Sequence, residues 1–240
     1  MSILSTVTQD PLPIYSDIAN CQLPAVSWVI PDKKWSDHAT ESDGTGPYYV
    51  ANIVNAIGWS TCTDTVGNQQ VPYWNDTVIF ILWDDWGGWF DHVPPFKLGG
   101  QTNNWGKNYT YGFRVPFLVV SAYTPAGYVS GAISGAPTYP PPAKYTHDFG
   151  SILAFIENNF GLTIGSISPQ YQFADKWAPE LSAGQGVVPL ADFFPIPSTT
   201  PRLFQGIPVD PLHGQSYFQN YFTVTNPNDT PDGPDAGDSD

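Results

Sequence analysis

The chain has 240 residues and a net charge of −14; 41% of its positions are hydrophobic and only 12% are charged. Eight basic side chains against 22 acidic ones exclude a protein that grips a nucleic-acid backbone. No apolar run approaches the roughly 18 residues that a transmembrane segment requires, and an aromatic content of 15% can fill a core rather than leave the chain disordered.

Residues 1–22 are polar and turn-rich and show no clear period. They lack a basic region followed by an apolar stretch, so the chain as written shows no signal peptide. Cys21 and Cys62 either pair or stand as two thiols. Val26–Ile30 is a short apolar run closed by Pro31 and predicts a buried strand. A loop over residues 31–46 carries His38. Residues 47–58 predict a helix. Pro47 suits its first turn, Val50, Ile53, Val54 and Ile57 form its apolar stripe, and Gly58 can end it. Thr77–Trp83 is β-branched, aromatic and uninterrupted, the pattern of a strand buried on both faces of a parallel sheet. Val115–Ser121 predicts a second such strand, and residues 148–159 a helix with Gly161 at its C-terminal cap. Beyond Thr163 the chain reads as mostly irregular. Asp229, Asp232, Asp235, Asp238 and Asp240 make 223–240 an acidic tail of disordered composition. Apolar strands alternating with helices give the fold class α/β, with a mostly parallel sheet flanked by helices. Ligands in such sheets bind beyond the carboxyl ends of the strands.

That rule points to Trp83–Pro95, WDDWGGWFDHVPP, where Asp84, Asp85, Asp91 and His92 crowd together. Adjacent carboxylates are costly to bury without a cation, and carboxylate plus imidazole suits a divalent metal ion such as Zn²⁺ or Mn²⁺. A surface turn whose aspartates cap turns or helices is the plainer reading of the same residues. Trp83, Trp86 and Trp89 fit either a core or a platform for a sugar. His38 and His147 lie in loops that can reach the same sheet edge, although His147-Asp148 equally suits a helix N-cap. Gly-x-Ser-x-Gly, the P-loop and GxGxxG are all absent.

WDDWGGWFDHVPP resembles the Asp-Glu-x-Gly-Gly-x-x-Asp-His-Val-x-Pro-Pro signature of the bacterial phosphoesterase family, which holds phospholipases C and related acid phosphatases. Gly112-Phe113-Arg114-Val115-Pro116 with Val119-Val120-Ser121 resembles a second family motif. Thr146-His147-Asp148-Phe149-Gly150-Ser151-Ile152-Leu153 through Glu157 resembles a third. Asp192-Phe193-Phe194 and Pro201-Arg202-Leu203-Phe204 are similar to the family's C-terminal end, and the match spans about residues 24–222.

The resemblance implies an alkaline-phosphatase-like fold and phosphoester hydrolysis through a covalent phospho-enzyme at a divalent-metal site. It makes Asp84 and Asp85 metal ligands, and His38, His92 and His147 ligands or acid/base groups. It implies a phosphate-ester or phospholipid substrate and, by family habit, a secreted or periplasmic location. Asp85 stands where the family usually has Glu, and His38 precedes Ala39 where it often has Pro. The family's Glu-Asn-x-x-Phe-Asp motif and nucleophile region find no counterpart. Residues 1–222 therefore read as the C-terminal part of a phosphoesterase domain whose partner is a missing N-terminal half. A non-catalytic fragment or split-gene subunit is the alternative reading, and a carbohydrate-binding module a weaker one.

Overall fold

A computed structural model describes residues 5–8, 11–38, 42–95, 111–131, 143–166, 174–184 and 186–224. The expected tail lies outside the described residues from 225 onward. The strands are β1 (Ser5–Thr8), β2 (Val26–Val29), β3 (Thr63–Val66), β4 (Gln69–Pro72), β5 (Val78–Leu82) and β6 (Phe117–Ser121). The helices are α1 (Pro11–Ala19), α2 (Gly46–Gly58), the single turn α3 (Tyr73–Asp76), α4 (Phe149–Asn159) and α5 (Gln215–Val224), with short 3-10 turns between them. The chain divides into two compact units, Met1–Ile79 with Leu203–Asp240, and Phe80–Arg202.

The mixed α/β composition agrees with the sequence, but a single, mostly parallel sheet does not form among the described residues. The strands pair two by two instead: β1 with β2, β3 with β4, and β5 with β6. The β1–β2 pair is parallel, with Ser5 opposite Val26 and Thr8 opposite Val29. The β3–β4 pair is an antiparallel hairpin whose loop opens on Gly67 at φ +63°. β5 is half-buried along its whole length rather than covered on both faces, because it has one partner strand among the described residues instead of two.

The first unit is built on α2. Its apolar stripe buries Ile53, Val54 and Ile57, as the sequence spacing requires. Trp35 stacks on Tyr49 at 5.3 Å and meets Phe218 of α5 edge-on at 5.0 Å. Ile14, Tyr15 and Ile18 of α1 complete this core. Neither α1 nor α5 is expected from the sequence: α1 is short and carries Pro11 and Pro13, and α5 mixes its aromatic residues with polar ones. Cys21 and Cys62 form a disulfide that ties the residues after α1 to the start of β3. Asn55 of α2 holds Ile207 through both its amide atoms, donating from Nδ2 to the Ile207 carbonyl and accepting from its N–H at Oδ1, each at 2.8 Å.

The second unit packs Phe80 and Leu82 of β5 and Phe117 and Val119 of β6 against α4 and the Leu190–Phe194 segment. Ile152 and Phe155 are the helix's contributions. Phe80 stacks on Phe117 at 5.6 Å and meets Phe155 edge-on at 5.5 Å. α4 begins at Asp148 with a reciprocal cap. Asp148 Oδ1 accepts from Ser151 N at 3.0 Å, and Ser151 Oγ accepts from Asp148 N at 3.0 Å.

Candidate functional site

β5 ends at Leu82, and the chain turns at once through Asp84, Asp85, Gly87 and Gly88. Both glycines have positive φ, +62° and +74°, which a side chain would resist and which makes the sharp turn possible. Asp84 Oδ1 accepts from Asp85 N at 3.1 Å, and Asp85 Oδ1 accepts from Gly87 N at 2.6 Å. Both aspartates are exposed, and these bonds are the turn-capping pattern that the plainer sequence reading describes. Asp91 is different. Arg114 donates to it from Nε at 2.7 Å and from a second guanidinium nitrogen at 3.0 Å, and Val93 N adds a bond at 3.0 Å. The Arg114 hydrogen bonds hold its carboxyl well below the usual carboxylate range. The His92 side chain is 87% exposed, with Nδ1 3.5 Å from Asp91.

His147 sits at the opposite extreme, with 12% of its side chain exposed. Its Nδ1 lies 2.5 Å from Oε1 of Glu180, a carboxylate that is itself 1% exposed. Its Nε2 lies 2.8 Å from Ser130 Oγ and 3.5 Å from Asp192 Oδ1. Ser130 donates to Asp192 Oδ2 at 2.6 Å, where Tyr128 OH donates as well at 2.9 Å. The other Glu180 oxygen, Oε2, accepts from Ser151 Oγ at 2.7 Å. Burial works against charge on the imidazole, but the hydrogen bonds and charges of Asp192 and Glu180 outweigh it and push its pKa up to about 9. Burial likewise opposes charge on Asp192, yet the bonds from His147, Ser130 and Tyr128 leave its pKa lowered.

The order Ser130, His147, Glu180 has the connectivity of a nucleophile, base and orienting carboxylate. The charge state points elsewhere. At neutral pH the ring is an imidazolium that donates from both nitrogens, and the Ser130 proton is directed to Asp192. The group is thus prepared as a proton donor or a held cation rather than as the base that would activate Ser130.

One short segment links the two regions. Tyr111 OH donates to Asp148 Oδ2 at 2.8 Å, beside His147. Phe113, two residues on, packs edge-on against Trp86 and Phe90, each at 5.5 Å. Arg114 then clamps Asp91. Residues 111–114 therefore bind both the start of α4 and the turn after β5. The three motif stretches of the sequence are joined in this way.

A profile of the Phosphoesterase family matches residues 5–163, about two thirds of the chain and a stretch that spans all three of these regions. The chain belongs to the Phosphoesterase family. It is 30% identical over 165 residues to the "Non-hemolytic phospholipase C" of Burkholderia pseudomallei, a match covering 61% of this chain and 20% of that protein. It is 28% identical over 167 residues to the "Hemolytic phospholipase C" of Pseudomonas aeruginosa, covering 64% and 20%. It is 26% identical over 191 residues to the "Phospholipase C B" of Mycobacterium tuberculosis, covering 68% and 32%. The aligned part is thus between a fifth and a third of each relative's length.

The sequence-derived site residues fall in three places. Asp84, Asp85 and His92 share the exposed turn, and His147 sits in the buried cluster. His38 belongs to the first unit, where its N–H donates to Ser36 Oγ at 3.1 Å. A divalent cation takes more donors than two adjacent carboxylates, one of them already bonded to Gly87. Among the described residues no group of three or more His, Cys, Asp or Glu side chains could hold a metal ion. The residues described do not by themselves fit the metal that the phosphoesterase resemblance implies.

Sequence reasoning did not single out Glu180, Ser130 or Tyr111. Glu180 carried one usable signal. The chain's glutamates are only Glu41, Glu157 and Glu180, and the last stands between Pro179 and Leu181 in a sequence poor in charge. Burying such a group demands a partner.

Proposed function

We propose that this chain contributes to a phosphoester-hydrolysing site of the phospholipase C or acid phosphatase type, acting on phosphate esters or phospholipids. Asp84 and Asp85 are two of the carboxylate ligands of a divalent cation that further donors complete, and His147, with His92, supplies its acid/base groups. The observation that carries this reading is the Tyr111–Arg114 segment, which ties the carboxylate-bearing turn to the start of α4 beside His147. His147, held as an imidazolium by Glu180 and Asp192, has the proton that a leaving alkoxide oxygen needs.

Titration of the purified chain with Mn²⁺, Zn²⁺ and Ca²⁺ tests the ligand assignment, alongside hydrolysis of p-nitrophenyl phosphate and p-nitrophenylphosphorylcholine. Metal binding that weakens in both Asp84→Asn and Asp85→Asn is expected. Equal binding by the parent and both variants would overturn the assignment.

A second reading is favoured by the lack of a three-donor group among the described residues. In it the chain is non-catalytic alone and works beside a further polypeptide, the missing N-terminal half of the sequence reading, that completes the ligand set. Turnover by the isolated chain would remove this reading. Export to an oxidising compartment is also proposed, and the Cys21–Cys62 disulfide supports it.

A further inference from the structure

Trp86, Trp89 and Phe90 are 43%, 69% and 83% exposed, three large aromatic side chains within five positions of one turn. The turn is built to present them. Gly87 and Gly88 bend the backbone at positive φ, and Trp89 lies over Gly87, with its Cδ1 3.2 Å from where a Cβ would stand. Phe113 backs Trp86 and Phe90 edge-on from within the fold. We infer that this aromatic turn docks the chain on the surface of a zwitterionic phospholipid bilayer.

Side-chain chemistry selects the partner. Tryptophan rings favour the headgroup level of a bilayer, where an apolar body and a polar N–H are both accommodated. Charge selects the lipid. Asp84 and Asp85 are exposed anions beside the rings, and the nearby Arg114 has its guanidinium committed to Asp91. The chain as a whole carries −14. An anionic surface would repel such a turn, whereas a zwitterionic one imposes no such cost. The inference rests on the reading of Asp84 and Asp85 as part of a phosphoester site, since that reading brings a phospholipid to this turn.

Flotation with phosphatidylcholine vesicles in metal-free buffer tests it without requiring turnover or metal. The parent is expected to float with these vesicles and to shift its tryptophan emission to the blue. The double variant Trp89→Ser/Phe90→Ser is expected to lose about tenfold or more in vesicle affinity, since binding follows buried apolar area. Leu203→Ser removes a side chain that is 88% exposed elsewhere and is expected to bind as the parent does. Circular dichroism confirms that the variants remain folded. Absence of flotation, equal flotation of parent and double variant, or preference for phosphatidylglycerol vesicles would each overturn the inference. So would an association of the chain with itself, or with oligosaccharide, that the double variant alone loses while vesicles go unbound. Vesicle binding with unaltered metal binding in Asp84→Asn and Asp85→Asn would leave the inference standing and remove the metal reading instead.

Discussion

Glu180 Oε1 lies 2.5 Å from His147 Nδ1, although 33 residues separate the two in sequence. The carboxylate is 1% exposed, and its other oxygen is bound by the Ser151 hydroxyl. Such a group is fixed in place, so it fixes in turn which way the imidazole points. Replacing Glu180 by Ala leaves an imidazolium and a hydroxyl without their buried acceptor. The expected loss is about 3–5 kcal/mol of stability, read from urea unfolding. Glu180→Gln keeps the shape but removes the charge, and the His147 titration followed by NMR is expected to move well below its parent midpoint. An unmoved midpoint would mean that Glu180 does not set the charge of the ring.

The same cluster makes stability depend on pH. The His147 pKa is raised in the folded protein, from 6.5 to about 9. Folding therefore favours its protonated form. Its contribution is complete below about pH 6.5 and disappears as pH rises through about 9. Asp192 is shifted the other way. Its contribution is present above the ordinary carboxylate range and is lost as pH falls through its lowered folded value. Between pH 6 and pH 10 the parent is expected to lose on the order of 3 kcal/mol more than a His147→Gln variant. Urea midpoints for both proteins at the two pH values measure this difference.

Reduction of the Cys21–Cys62 disulfide tests the first unit. The bridge closes a loop with a sequence separation of 41. Loop-closure entropy assigns such a crosslink about 4 kcal/mol. Dithiothreitol, or the double Ser variant, is expected to lower the melting temperature clearly while leaving the His147 titration unchanged.

The sequence was most legible where one physical signal dominated. The apolar stripe of α2, the β-branched run of β5 and the cap of α4 at Asp148 lie within two residues of their expected positions. The turn after β5 was legible from its glycines and adjacent aspartates. The sheet architecture was not, because an apolar run shows that a strand is buried without naming its neighbours, and the strands pair two by two. Glu180, Ser130 and Asp192 join His147 from 33, 17 and 45 residues away in sequence. No local spacing rule connects them. α5 was hidden for a related reason, since much of its anchoring comes from the single residue Phe218 against Trp35 and Tyr49.

Gly58 reads in sequence as a helix stop, and the structure gives it a second duty. A Cβ built there would stand 2.3 Å from the Phe204 ring, far inside contact distance. Phe204 is also held edge-on by Trp59 at 5.0 Å and meets Trp74 at 4.8 Å, so the ring has little room to withdraw. An alanine would ordinarily favour the helix by about 0.8–1 kcal/mol over glycine. Here the clash must displace a packed aromatic ring, and overpacking of that kind costs about 1–3 kcal/mol. Gly58→Ala is therefore expected to destabilise the protein despite the better helix former, with a lower urea midpoint and altered tryptophan fluorescence from Trp59 and Trp74. A stabilised variant would show that the segment carrying Phe204 yields freely and that the ring does not anchor it to α2.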